Sequence, residues 1–238
     1  MTAVPDGWRL QHFAHLPSTQ ALAVTLAEAG EPEGLAILAD RQTAGQATQG
    51  RGWESPAGNL AISVLMRPAA PVSEAGEWGI LAAVALASAV AEVSTIPPRL
   101  KWPNDLLLGG AKAAGILTQA AGDGGRLAWV IIGIGVNLRH APGVDGRVTA
   151  CLGDDAPTPE AFAAVLLRSL DRWRQVRLLE GFAPVRAAWL EHGPALGTPL
   201  SLSRPSIAGR FEGLAEDGAL LLGTGGRVHA VRTGEIEG

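Results

Sequence analysis

The chain has 238 residues, 47% of them apolar and 18% charged, with a formal net charge of -4 at neutral pH. That length and balance suit a globular protein with one main domain and a small appendage, and the acidic balance excludes a broad nucleic-acid-binding surface, so any basic site must be local. A single cysteine, Cys151, excludes an intrachain disulfide framework; with no basic-then-apolar leader at the N-terminus, it points to a reducing, cytoplasmic setting.

In chain order, the first element is an alanine- and leucine-rich helix over Thr19–Ala29, capped by Ser18 or Thr19 and ended by Gly30. A strand follows at Leu35–Ala39, then the stretch QTAGQATQGRGWESPAGNL, then a strand at Leu60–Met66. The stretch between the strands has no apolar period and reads as a long loop, and long loops inside compact chains are usually functional. SEAGEWGILAAVALASAVAEV reads as a largely buried helix. Its apolar part WGILAAVALASAVAEV and the stretch AWVIIGIGVNL, the two most apolar windows, are too short and too glycine- or charge-bounded to be expected to cross a bilayer. RLKWPNDLLLGGAKAAGILTQA reads as strand, turn, strand with its break at Gly109-Gly110, and Leu127–Leu138 as a further strand. Two helices come next, the first capped by Thr158 with Glu160 in its opening turn. From about Leu196 short strands and turns take over, with EDG marking a hairpin, and the texture is that of a small β-barrel. The order of elements makes the main domain α/β or α+β.

The polar residues cluster at a few places. KWPND sets Lys101, Asn104 and Asp105 in an apolar stretch, where charge is costly unless paired. A turn with a surface ion pair between Lys101 and Asp105 explains the pentapeptide as well as a binding role does. Lys112 is similarly isolated, and as a lone lysine it reads most simply as a solvated loop charge. Their recurrence beside Arg51 and several glycine turns favours an anionic, phosphate-bearing ligand. Glycine lets the backbone approach such a ligand, and lysine and arginine neutralise it. A carboxylate at the same place can hold Mg²⁺. No segment matches the G-x-x-x-x-G-K-[ST] phosphate loop. GIGVN is not a dinucleotide fingerprint, because a strand runs through it.

Four motifs in order resemble the biotin–protein ligase family: STQ at Ser18–Gln20; QTAG with GRGWESPAGNL; KWPND with KAAGIL; and IGIGVNL. The resemblance spans almost the whole chain. It implies an α+β fold, with a mixed sheet and flanking helices in a catalytic domain over residues 1–190 and an SH3-like barrel over 193–238. It implies ATP-dependent activation of biotin to biotinyl-5'-AMP, then transfer to a lysine of a biotin carboxyl carrier protein, with Mg²⁺ assisting. Lys112 would meet the biotin carboxylate and the developing acyl phosphate. Arg51 would face phosphate, and Asp105 would orient Mg²⁺ or the incoming lysine together with Asn104. Ser18, Thr19, Gln20 and Gln42 would bind the ureido ring, while Gly45 and Gly115 allow close approach. Trp53 would pack over the ligand. Asn59, Lys101 and Asn137 would serve the nucleotide side.

The match departs from the family's pattern in the loop. Gly45-Gln46-Ala47-Thr48-Gln49-Gly50-Arg51 stands where the family has Gly-Arg-Gly-Arg-Arg-Gly-Arg. Each missing charged hydrogen bond is worth roughly 1.5–3 kcal/mol, so loose retention of the adenylate is expected. Gln119 stands where Glu is frequent, and Pro17 where Asp is. Two alternatives remain at this stage: a biotin-binding paralogue without activity, and a ligase or transferase for another acyl cofactor such as lipoate. An N-terminal DNA-binding domain, a membrane partner and a nucleic-acid partner are not expected, and a homodimer is left open.

Overall fold

The computed structural model describes residues 4–143, 146–203 and 205–236. A seven-stranded mixed sheet has the order β1-β2-β3-β7-β6-β5-β4. Its strands are β1 (Arg9–Leu16), β2 (Leu35–Gln42), β3 (Leu60–Met66), β4 (Arg99–Lys101), β5 (Asp105–Leu108), β6 (Ala111–Asp123) and β7 (Arg126–Val136). Only β1 and β2 pair in parallel, joined by the crossover helix α1 (Thr19–Glu28). Within KWPND, Trp102–Asn104 form a turn between Lys101, the last residue of β4, and Asp105, the first of β5. The segment expected as one hairpin is therefore two, broken at Trp102–Asn104 and again at Gly109-Gly110.

Side chains on a strand alternate between faces, and here each face meets different helices. Leu38, Ile62, Val64, Val130, Ile132 and Ile134 join the larger core with α2 (Ala75–Val93), α3 (Pro159–Glu180) and α4 (Ala183–His192). Leu35, Ile37, Leu65, Trp129 and Ile131 form a smaller core with Ala23 and Ala27 of α1. Among the described residues the stretch Val72–Val93 has the length and composition to cross a membrane, contrary to the sequence expectation. Most of it is buried, with Leu81, Val84 and Leu86 inaccessible. It is apolar on nearly every side because the sheet, α3 and α4 surround it.

The tail differs from the expected closed barrel. Strands β8 (Pro199–Ser203), β9 (Ser206–Leu214), β10 (Leu220–Thr224) and β11 (Arg227–Val231) form an antiparallel sheet in the order β11-β10-β9-β8, with the EDG turn joining β9 to β10. β8 and β11 are opposite edges. The chain beyond β11 returns to β8 through one bridge between Leu202 and Ile236.

Candidate active site

On the α1 face of the main sheet, the strand register grades from large to small residues. Leu65, Ile131 and Gln119 lie in one row, Ser63, Gly133 and Leu117 in the next, and Ala61, Gly135 and Gly115 in the third. Bulk supports the helix, and beyond its N-terminus the small residues leave a hollow. Gly133 and Gly135, two apart, fall on the same face. The GIG of the sequence is therefore a cavity floor. The resulting cavity has a volume of about 380 Å³.

One end is neutral and tightly hydrogen-bonded. Gln42 Oε1 accepts from Thr19 N (2.8 Å) and Thr19 Oγ1 (3.2 Å), and Gln42 Nε2 donates to Ser55 Oγ (3.0 Å). Thr19 Oγ1 and Ser63 Oγ are 2.9 Å apart, and Ser63 donates to Gln20 Oε1 (3.0 Å). Gln20 Nε2 in turn donates to Gln119 Oε1 (2.8 Å). A Cβ on Gly133 would stand 2.5 Å from Gln20 Oε1, so this glycine makes room for the amide. Ser18 does not line the cavity; it caps α1 and accepts from Ala21 N (3.3 Å).

Trp53 crosses the floor. A Cβ on Gly115 would lie 3.1 Å from its ring, and one on Gly135 would overlap the indole. Its Nε1 is buried with no hydrogen-bond partner. The loop reaches this position by closing on itself, with Trp53 N donating to Gly45 O (2.9 Å). Gly45 does not line the cavity; it shapes the loop, because a side chain there would run into Trp53 O.

The other end is charged. Lys112 Nζ lies 2.5 Å from Asp105 Oδ1 and 5.8 Å from the Trp53 ring centre. Arg147 Nη1 is 3.8 Å from Asp105 Oδ2, and Glu235 pairs with both Arg147 and Arg51. Lys112, Arg51 and Arg147 line the cavity. Lys101, the last residue of β4, does not; it lies in register with Asp105 of β5. Burial pushes its ammonium below the usual lysine range, Asp105 pushes it back up, and Arg147 and Lys112 lower it again. Cations outnumber carboxylates in this cluster, which suits an anionic ligand.

Three asparagines hold the walls. Asn104 and Ile116 exchange bonds in both directions at 2.9 Å, and Asn137 Nδ2 donates to Ala150 O (3.0 Å). Both line the cavity. Asn59 does not; it clasps the backbone of Arg139 and His140 from a position that is 1% exposed. Its amide is used by the segment leading to Pro142 and Gly143, which do line the cavity.

Asp105 does not fit a metal ligand in this arrangement, since both oxygens already face cations. Among the described residues, one trio of metal-capable side chains lies close together, His12, Asp40 and Glu160, and none of them lines the cavity. Sequence reasoning missed Ser63, Arg147 and Glu235. Ser63 had a signal, the lone hydroxyl in the buried run LAISVLM. Arg147 and Glu235 sit in turn-rich segments and had none.

Fold and site together define a protein with a cavity that is neutral and hydrogen-bonding at one end and cationic at the other, a shape and charge suited to an elongated ligand with one anionic end. A profile described as the biotin/lipoate A/B protein ligase family matches residues 13–137, and the chain belongs to that family. Among its relatives is a biotin–[acetyl-CoA-carboxylase] ligase of Paracoccus denitrificans, 39% identical and covering 90% of this chain and 95% of the relative. Another, of Mycobacterium tuberculosis, is 32% identical over 97% of this chain and 90% of its own. The biotin protein ligase of Aquifex aeolicus, solved in complex with biotin and ATP, superposes with a TM-score of 0.81 at 25% identity, covering 96% of this chain and 97% of that one.

Proposed function

We propose that the protein is an ATP-dependent biotin–protein ligase. The observation that carries this reading is the cavity's division into a neutral amide-and-hydroxyl end and a cationic end, joined by a glycine floor under Trp53. A ureido ring offers two N–H donors and one carbonyl acceptor, which Thr19, Ser63 and Gln42 can match with hydroxyls and an amide. The valeryl chain runs along the glycine floor beside the indole and delivers its carboxylate to Lys112.

In the first step a carboxylate oxygen bonds to the α-phosphorus of ATP, the bond to the bridging oxygen breaks, and pyrophosphate leaves. Two anions must meet, so fixed positive charge counts most where negative charge builds up. Lys112, Arg51 and Arg147 supply it. In the second step the amine of a carrier-protein lysine attacks the acyl carbon and AMP departs. Asp105 steadies Lys112 before the ligand arrives and can hold the incoming ammonium afterwards. A divalent cation arriving with the nucleotide would supply further positive charge where the phosphates react.

The acceptor proposed is the biotin carboxyl carrier subunit of acetyl-CoA carboxylase, the enzyme that the names of the two relatives above give as their substrate. The reading also includes a catalytic domain over 1–190, a separate C-terminal unit over 193–238 built on the four-stranded sheet, and a cytoplasmic location. The test is ATP–pyrophosphate exchange with and without biotin. Exchange that needs biotin and falls at least about 100-fold in Lys112→Ala is expected. Exchange supported by lipoate and not biotin, or no exchange, overturns the reading.

A further inference from the structure

Glu235 comes from the far end of the chain, beyond β11, yet its carboxylate meets the cationic end of the cavity. Its position is set by the backbone, because Ser203 N donates to Glu235 O (3.1 Å) and Ile236 bridges to Leu202. One oxygen, Oε1, accepts from Arg51 Nη1 at 3.1 Å and also pairs with Arg147 Nη2. Those arginines belong to separate loops, and two guanidiniums converging on one point repel each other unless an anion lies between them. Arg51 is the only basic residue between Gln42 and Leu60, and its side chain is 44% exposed. Its other bond is to a carbonyl of its own loop, Thr48 O. Without an outside partner, the one positive charge this loop brings to the cavity has nothing beyond the loop to hold it.

We propose that Glu235 is a positioning residue that gathers Arg51 and Arg147 at the cavity before the nucleotide arrives. The inference rests on the ligase reading for what the arginines bind, but the anchoring of Arg51 stands apart from it. The neutral loop gives the arrangement its purpose. Where neighbouring positions carry no charge, affinity for phosphate depends on holding the few cations present. Ordering them in advance removes part of the entropic cost of binding.

The variant to make is Glu235→Gln, with Arg147→Gln and the double variant completing a cycle. In Glu235→Gln the KM for ATP in the exchange assay should rise about two- to fivefold, the range for a partly exposed ion pair, with biotin affinity by calorimetry unchanged. Unchanged biotin binding also shows that the variant is folded. Trypsin should cut the ligand-free protein after Arg51 faster in Glu235→Gln than in the parent. Arg147→Gln should raise the KM less in the Glu235→Gln background than alone. If Glu235→Gln does not fold, Arg147→Gln carries the test, since it must still raise the ATP KM without altering biotin affinity. An unchanged ATP KM, a lower one, additive effects or an equal loss of biotin affinity would each overturn the proposal. A parent without biotin-dependent exchange would sink the ligase reading instead, and the trypsin comparison would still decide whether Glu235 holds Arg51.

Discussion

The two ends of the cavity are built from different materials. The neutral end comes from strand interiors and the first turn of α1: Ser63 is inaccessible, and Thr19 and Gln20 are each 3% exposed. Its donors and acceptors are tied to one another by short hydrogen bonds, so each side chain has little freedom. The charged end is assembled from two loops, a hairpin and the chain's last residues, through ion pairs that are partly open to water. A buried network is rigid and costly to break, whereas partly exposed ion pairs are weak and screened by salt. In the proposed reaction the vitamin's head would meet a preformed surface, and the phosphates one whose charges are gathered by contacts from distant parts of the chain.

The contrast can be broken most severely from the loop. Placing arginine at Gln46 or Thr48 should tighten retention of the adenylate by roughly 1.5–3 kcal/mol, seen as slower release of the labelled intermediate. The parent should biotinylate bystander lysines that the arginine variants spare. Absence of off-target labelling in the parent, with tight retention, would show that backbone N–H groups compensate for the missing charge. At the neutral end, Gly133→Ala should push Gln20 aside and weaken biotin binding by about 1–3 kcal/mol, the range for overpacking. Calorimetry should then find ATP binding unchanged. Ser63→Ala removes one hydroxyl from the same network and should weaken biotin by about 1 kcal/mol. The smallest effect is expected from salt. Raising ionic strength several-fold should weaken ATP about two- to threefold and leave biotin alone, because exposed charges are screened while buried hydrogen bonds are not. Equal salt sensitivity of both ligands would erase the distinction between the ends.

Readability from the sequence followed the same division. The Ser18 cap, the helix α1, the strand β3 and the cap and first turn of α3 lie where local pattern and capping chemistry put them. Thr19, Gln20 and Gln42 were marked by motif and do face one another. The split of KWPND into its own turn was harder to see, since β4 has only three residues and shows too little alternation. Asn59 and Gly45 were assigned to the ligand, but they hold loops. An amide or a glycine looks the same in sequence whether its partner is a ligand or a neighbouring backbone.

The chain's own order of apolar and small residues determined the elements, the glycine floor and the family's motifs, because periodicity and steric allowance act over a few residues. Which cations share the cavity was decided by tertiary structure alone. Arg51, Arg147 and Glu235 are separated by most of the chain and converge through packing of the C-terminal sheet, and attraction between charges carries no record in local sequence pattern.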